Sequence, residues 1–314
     1  MDRRRFLGMA GLACGGAALA GCGKGPGPGD PGSGGTPPQG RGSLTAGRGR
    51  GEVYVGKAAD PTSALRSALA AAGGLAFIRP GSRVVLKPNA AWSRTPAQAA
   101  NTDPRLLTAM IQLCREAGAG KITVFEHTID RPAAQVLAVS GIAAAARQEG
   151  AELIYGATEG DFAPIMVPRG KMMKQDTLAR AVLEADVFIN MPKAKHHSQT
   201  QLTLGLKNLM GVNFNRQAWH SGPDLAQYIA DYASAVAVDL TVMDASRILV
   251  TNGPKGPGTI REPEEVIVSF DPVAADAYAC RLFDLEPSSV AYIGKAVELG
   301  LGEGNPSNIV VKRA

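Results

Sequence analysis

The 314-residue chain has only four cysteines, four histidines and two tryptophans, and aromatic residues make up 5% of it. Cys14 and Cys22 fall near the N-terminus, which leaves Cys114 and Cys280 for the rest. Two thiols in unrelated elements cannot supply the four thiolates of an iron–sulfur cluster, so no such cluster is expected from this chain's own cysteines. Leu107, Met110, Cys114 and Ala117 form one stripe at helical spacing, as do Val273, Ala277, Cys280 and Phe283. Both cysteines therefore read as small buried hydrophobes. There is no Gly-x-Ser-x-Gly elbow, no His-Glu-x-x-His pair and no Cys-x-x-Cys motif. The sequence support for a serine hydrolase, a zincin or a thiol oxidoreductase is missing.

Charge of one sign is also lacking where it would matter. The formal net charge is +5, yet residues 52–314 carry 26 basic and 26 acidic side chains. The basic excess sits at the N-terminal end, so bulk charge excludes nucleic acid as a partner.

Arg3-Arg4-Arg5-Phe6-Leu7 precedes an uncharged run from Gly8 to Ala20. This pattern of basic and apolar regions is too short for a membrane-spanning helix and reads as a signal peptide over residues 1–21. The arginines followed by Phe-Leu look like a twin-arginine export address. Leu19-Ala20-Gly21-Cys22 is similar to a lipobox, in which Cys22 would be lipidated. The expected location is the periplasmic side of a bacterial cell envelope, with the lipid as the membrane anchor. Residues 23–51 hold twelve glycines and five prolines. Such a stretch buries too little apolar surface to repay its ordering entropy, so 22–51 is expected to be a flexible linker with a reach of roughly 30 Å.

From Glu52 onward, short β-branched runs alternate with helical stretches. The expected strands are Val53–Val55, Val84–Lys87, Ile122–Phe125, Leu153–Tyr155, Val187–Asn190, Leu240–Met243, Val266–Phe270 and Ile309–Val311. The expected helices are Thr62–Ala72, Pro104–Ala117, Gly141–Gln148, Thr177–Glu184, Asp224–Val238, Pro272–Phe283 and Ser289–Leu299. Asp103-Pro104 and Asp271-Pro272 each set an N-cap before a proline at the first helical position. This alternation predicts an α/β domain over 52–314, with a largely parallel or mixed sheet flanked by helices. A change of composition near Gly156–Lys174 marks the place where two lobes would divide.

Ligands in such folds sit beyond the carboxyl ends of strands, so polar residues just after strands carry the most weight. The densest group runs from Asn190 through Lys193, Lys195, His196 and His197 to Lys207 and Asn208. Its lysines suit a phosphate or carboxylate. An imidazole there could ligate a transition metal or act as a general base. Neighbouring residues of an extended segment point opposite ways, so only one of His196 and His197 can face a pocket. Lys87-Pro88-Asn89 and Glu126-His127 also follow strands and bring polar groups to the same rim. The Gly/Pro stretch Thr251–Gly258 lacks the spacing of a phosphate loop and reads as an ordinary connection. Asp271 reads as a helix cap. Asp276 lies one turn inside that helix, where it could support a ligand.

Val84-Val85-Leu86-Lys87-Pro88-Asn89, Thr102-Asp103-Pro104, Pro192-Lys193-Ala194-Lys195-His196-His197, Leu206-Lys207-Asn208-Leu209-Met210-Gly211 and Asp271–Asp276 occur in this order. Together they resemble the domain of unknown function family 362, over about residues 52–304. The lysine–histidine segment is the most specific part. Some members of that family are joined to ferredoxin-type iron–sulfur modules, which implies redox-linked work and an iron–sulfur partner. This chain lacks that module. Carried over residue by residue, the resemblance implies cofactor or ligand binding by Lys87, Asn89, Lys193, Lys195, Lys207 and Asn208. It implies a catalytic or metal-binding His197, a metal-binding Asp276 and, with less support, a catalytic Glu126. The cofactor stays open at this point, with a divalent transition metal on an imidazole as one candidate.

Two functions meet these residues. One is an envelope enzyme with an anionic-ligand or metal-dependent pocket. The other is a non-catalytic receptor for an anionic solute, or an accessory to an envelope redox complex, which would use the lysines without needing His197.

Overall fold

The computed structural model describes residues 37–314. The signal peptide, the lipobox and Cys22 lie outside the described residues. Runs of Val and Ile too short to make helices pair into strands, because branched side chains pack well on a pleated surface. In chain order these are β1 (Glu52–Lys57), β2 (Arg83–Pro88), β3 (Lys121–Phe125), β4 (Glu152–Ile154), β5 (Phe162–Met166), β6 (Gln175–Ala179) and β7 (Val187–Met191). They continue with β8 (Lys193–His197), β9 (Gln201–Thr203), β10 (Leu240–Leu249), β11 (Ile260–Arg261), β12 (Glu265–Ser269) and β13 (Val310–Arg313).

The main sheet runs in the order β13-β1-β12-β10-β7-β2-β3-β4. Strands β10, β7, β2, β3 and β4 are mutually parallel, whereas β12 is antiparallel to both β10 and β1. Alternate residues feed two cores on opposite faces. Val85, Phe125 and Phe188 join one, and Val84, Leu86, Val124, Val187 and Ile189 join the other. A sheet buried on both faces requires near-continuous apolar strands, and that is what these sequences contain. Full burial of each such side chain contributes roughly 1.5–3 kcal/mol. The α/β architecture with a mixed, largely parallel sheet is therefore as expected.

Caps set the helix starts. Asp103 accepts from Arg105 N–H at the head of Pro104–Glu116, and Asp271 accepts from Val273 and Ala274 N–H at the head of Pro272–Cys280. Cys114 and Cys280 are buried free thiols on these two helices. Burial pushes Cys114 up to about 12 and raises Cys280 further.

Three expectations are corrected. The stretch Thr177–Glu184 is not one helix, because Gln175–Ala179 pairs with β5 in an antiparallel hairpin and only Arg180–Leu183 is helical. Thr177 is held extended by side-chain and backbone partners, with Asn213 and Tyr232 donating to its carbonyl. That hairpin packs into the same core as the main sheet, so the composition change near Gly156–Lys174 does not divide 37–314, which forms one unit.

The third correction concerns residues 37–51, expected to belong to the linker. They pack on the domain. Arg41 N–H donates to Ala235 O at 2.7 Å, and the Arg41 guanidinium forms a buried ion pair with Asp239. Asp239 also accepts from Ser43 Oγ and Phe188 N–H. Gly40 lies so close to Ala235 that a Cβ there would sit 1.9 Å from its carbonyl oxygen. A glycine-rich segment reads as a tether from composition, but Gly40 serves close backbone approach.

Candidate functional site

Parallel strands β7, β2 and β3 end side by side, and polar side chains at the ends of β2 and β3 enter one cavity. Along β2, Val84 and Leu86 face one core, while Val85 and Lys87 point the other way. The terminal Lys87 therefore enters the cavity floor. Its Nζ donates to both oxygens of Glu126 at 2.9 and 3.0 Å, to Pro88 O at 2.7 Å and to Asn208 Oδ1 at 3.3 Å. Glu126 also accepts from Ala90 N–H at 2.7 Å. Its carboxylate is thus committed to holding Lys87 and the turn after β2. A Cβ on Gly211 would lie 2.6 Å from Lys87 Nζ and 2.7 Å from Glu126 Oε1, so only glycine fits above this pair.

The lysine–histidine segment, read as an extended stretch following a strand, is itself strand β8, paired with β10 and β9. Period-two alternation puts Lys193, Lys195 and His197 on the buried side and leaves His196 half-buried. Lys195 Nζ donates to Asn89 Oδ1 at 2.8 Å and to Ala100 O. From there the amides run in one direction. Asn89 donates to Asn208 at 2.9 Å, Asn208 to Asn190 at 2.8 Å, and Asn190 to Gly205 O at 2.9 Å. Every member of the relay is satisfied, which fixes the amide orientations.

Lys193 does not reach the cavity. It pairs with buried Asp244 at 2.8 Å, and Asp244 also accepts from Asp103 N–H and Ser246. Asp276 is likewise off the cavity wall. Its two oxygens accept from Gly205 N–H at 2.7 Å and Leu206 N–H at 2.9 Å, at the start of the short helix Gly205–Asn208. Burial pushes its carboxyl up to about 7 against those two donors. Asp276 anchors the backbone that carries Lys207 and Asn208, so its expected role as a metal ligand gives way to that of a positioning residue.

His197 faces the cavity, but its ring chemistry differs from the expectation. Its Nδ1 accepts from Gln199 N–H at 3.1 Å and Thr200 N–H at 3.3 Å. A lone pair facing two donors places the single ring proton on Nε2, so the ring presents an N–H to the cavity. Ligating a metal, or taking a proton, through Nε2 would require moving that proton against two backbone donors. Burial and the nearby Lys207 push its pKa down to about 2, in keeping with a neutral ring. Among the described residues, no group of three or more His, Cys, Asp or Glu side chains could hold a metal ion.

Two cations set the character of the site. Lys207 Nζ is buried and its sole partner among the described residues is the Met210 sulfur at 3.3 Å. Among the described residues, buried Arg216 has no ion pair and its Nη1 has no acceptor. Thr203 Oγ1, also on the wall, is equally without a partner among the described residues. Burial and the Arg216 charge push Lys207 down to about 7, and burial pushes Arg216 down to about 10. Burial first, then the charges of Lys207 and Arg216, push His220 down to about 4. The His220 Nδ1 donates to Gln199 Oε1 at 2.7 Å, so its Nε2 carries a lone pair. The cavity thus holds Lys87, Lys195, Lys207 and Arg216 against one carboxylate, Glu126, that is already paired. The cavity measures about 60 Å³, and Trp92, Ile129 and Pro254 add apolar lining at its mouth. Pro254 belongs to the Gly/Pro stretch read as an ordinary connection. That stretch is held to β8 by Gly253 N–H donating to His196 Nδ1 at 3.0 Å.

Of the expected site residues, Lys87, Asn89, Glu126, Lys195, His197, Lys207 and Asn208 are brought together. Arg216, Thr203 and His220 were missed. Arg216 lies on the short helix Arg216–His220, and its spacing from buried Trp219 is the one signal that it faces inward.

A thylakoid-associated protein of Synechocystis sp. is 31% identical over 254 residues, covering 76% of this chain and 75% of that protein. The solved lactate racemase apoprotein of Thermoanaerobacterium thermosaccharolyticum superposes with a TM-score of 0.51 at 8% identity. That match covers 76% of this chain but 57% of the racemase, and it shows a shared fold. The model of the Domain of unknown function (DUF362) family matches residues 84–281, which contain the whole cationic cavity, and the chain belongs to that family.

Proposed function

We propose that the cavity binds a small organic anion, held by Lys207, Arg216, the Nε2–H of His197 and the hydroxyl of Thr203. The observation that carries this reading is the presence of two buried cations with no anionic partner among the described residues. An uncompensated buried charge is costly, and a charge-assisted hydrogen bond from a ligand would offset that cost. The one carboxylate on the wall is consumed by Lys87, so the free functionality is almost wholly donor. A donor-lined cavity suits a carboxylate or phosphate. Trp92 and Ile129 at the mouth favour an organic over an inorganic anion.

Thermal unfolding tests this. Propionate should raise the melting temperature in a concentration-dependent way, and tetramethylammonium should not. Arg216→Gln or Lys207→Met should each weaken propionate binding about 10–100-fold, as expected for one charged hydrogen bond. Equal stabilisation of wild type and both variants would place the anion elsewhere.

We also propose that the protein works in the cell envelope, exported by the twin-arginine route and lipidated at Cys22. The support is the arginine-led apolar run that stops at Leu19-Ala20-Gly21-Cys22. Cys22→Ser should move the protein from the membrane fraction to the soluble fraction, and unchanged membrane association would refute lipidation.

A further inference from the structure

The anion reading leaves unexplained why one of the two cations is a lysine with nothing but a thioether beside it. Lys87 and Lys195 each have oxygen acceptors, whereas the Lys207 amine has none. It is buried on the cavity wall, next to the guanidinium of Arg216 and near the unpartnered Thr203 hydroxyl. An amine desolvated beside a second cation is held in the neutral, nucleophilic form, the condition under which lysines attack carbonyls. Burial and the Arg216 charge hold Lys207 down at about 7, in agreement with that condition. Asp276 fixes the backbone of the helix that carries Lys207, which supplies the positioning such a nucleophile needs.

From this juxtaposition we propose that the anion is a short oxo acid, and that Lys207 forms a Schiff base with its carbonyl carbon while Arg216 holds the carboxylate. This rests on the small-anion reading above. The neutral Nζ adds to the carbonyl carbon and its proton passes to the carbonyl oxygen, giving a carbinolamine. The carbon–oxygen bond then breaks, the oxygen leaves as water with the second amine proton, and a carbon–nitrogen double bond remains. Nothing is oxidised or reduced. The Thr203 hydroxyl and the Nε2–H of His197 are donors available to the departing oxygen. A cavity of about 60 Å³ restricts the ligand to a small acid, such as a three-carbon oxo acid.

The test treats the full-length protein with pyruvate and sodium cyanoborohydride, then measures intact mass and maps modified peptides. The expected result is a single reductive pyruvate adduct on Lys207, absent in Lys207→Arg and competed away by propionate. Calorimetry of pyruvate binding without the reductant is run alongside. Pyruvate binding with no adduct on Lys207 would overturn the Schiff-base inference and leave the anion pocket standing. An adduct spread over surface lysines, unchanged in Lys207→Arg, would overturn it as well. No binding of pyruvate or propionate by the wild type would overturn both readings.

Discussion

A buried ammonium beside a thioether carries a cost that depends on pH, and this gives Lys207 a signature separate from ligand binding. The group titrates near 7 in the folded chain and at about 10.4 when unfolded. Between those values the unfolded chain binds a proton that the folded chain lacks, so stability rises with pH. The penalty is fully present below pH 7 and is lost as pH rises through 10. Lys207→Met removes it. The variant should therefore exceed the wild type in stability most at pH 6, with the gap closing by pH 10, in paired urea titrations. A constant gap would mean that Lys207 keeps its ordinary pKa. At this scale the lysines, asparagines and His197 were legible in the sequence, because polar groups that follow apolar strands have few places to go. The tautomer of His197 was not legible, since it depends on two backbone N–H groups of the following turn. The ion pair that removes Lys193 from the cavity requires β10 to lie beside β8, a long-range pairing that local pattern does not report.

At the scale of elements, strand ends and one short helix carry the site. The helix Gly205–Asn208 has four residues and could not persist alone. It starts where it does because the two oxygens of Asp276, on a separate helix, take the N–H groups of Gly205 and Leu206. Asp276→Ala should leave both buried donors unsatisfied and destabilise the fold by about 2–5 kcal/mol. It should also loosen Lys207 and Asn208. Denaturant unfolding with propionate titration on the same variant checks both effects, and a neutral Asp276→Ala would contradict the anchoring role. All eight expected strands are present, with boundaries shifted by a few residues, because the central β-branched runs are buried on both faces and leave little alternative, while β4 and β13 are exposed edge strands. Strand β8 escaped notice since three of its five residues are charged or polar and point inward, the reverse of the usual inference from polarity. The hairpin β5–β6 was hidden for a related reason. Gln175-Asp176-Thr177 is polar, and its partners are the Asn213 and Trp219 side chains, far away in sequence.

At the scale of the whole molecule, the folded body begins well before Glu52. Arg41 and Asp239 form a buried pair that closes the N-terminal segment onto the sheet. A chain starting at Glu52 leaves Asp239 without its cation, and removing one partner of a buried pair costs about 3–5 kcal/mol. Equilibrium unfolding should therefore show residues 52–314 to be less stable than 37–314 by that amount. Equal stability would mean that the segment adds nothing. Composition misled here because close-packed glycines and tether glycines look alike until their neighbours are known.

The account rests on a donor-lined cavity in which the Lys207 amine and the Arg216 guanidinium have no anionic hydrogen-bond partner among the described residues. Isothermal titration of propionate into the full-length protein at pH 7.5, in two buffers of different ionisation enthalpy, tests it most directly. The account predicts one binding site, proton uptake on binding as the anion draws Lys207 back to its charged form, and loss of that uptake in Lys207→Met. Binding without proton uptake, or uptake that survives in Lys207→Met, would contradict it.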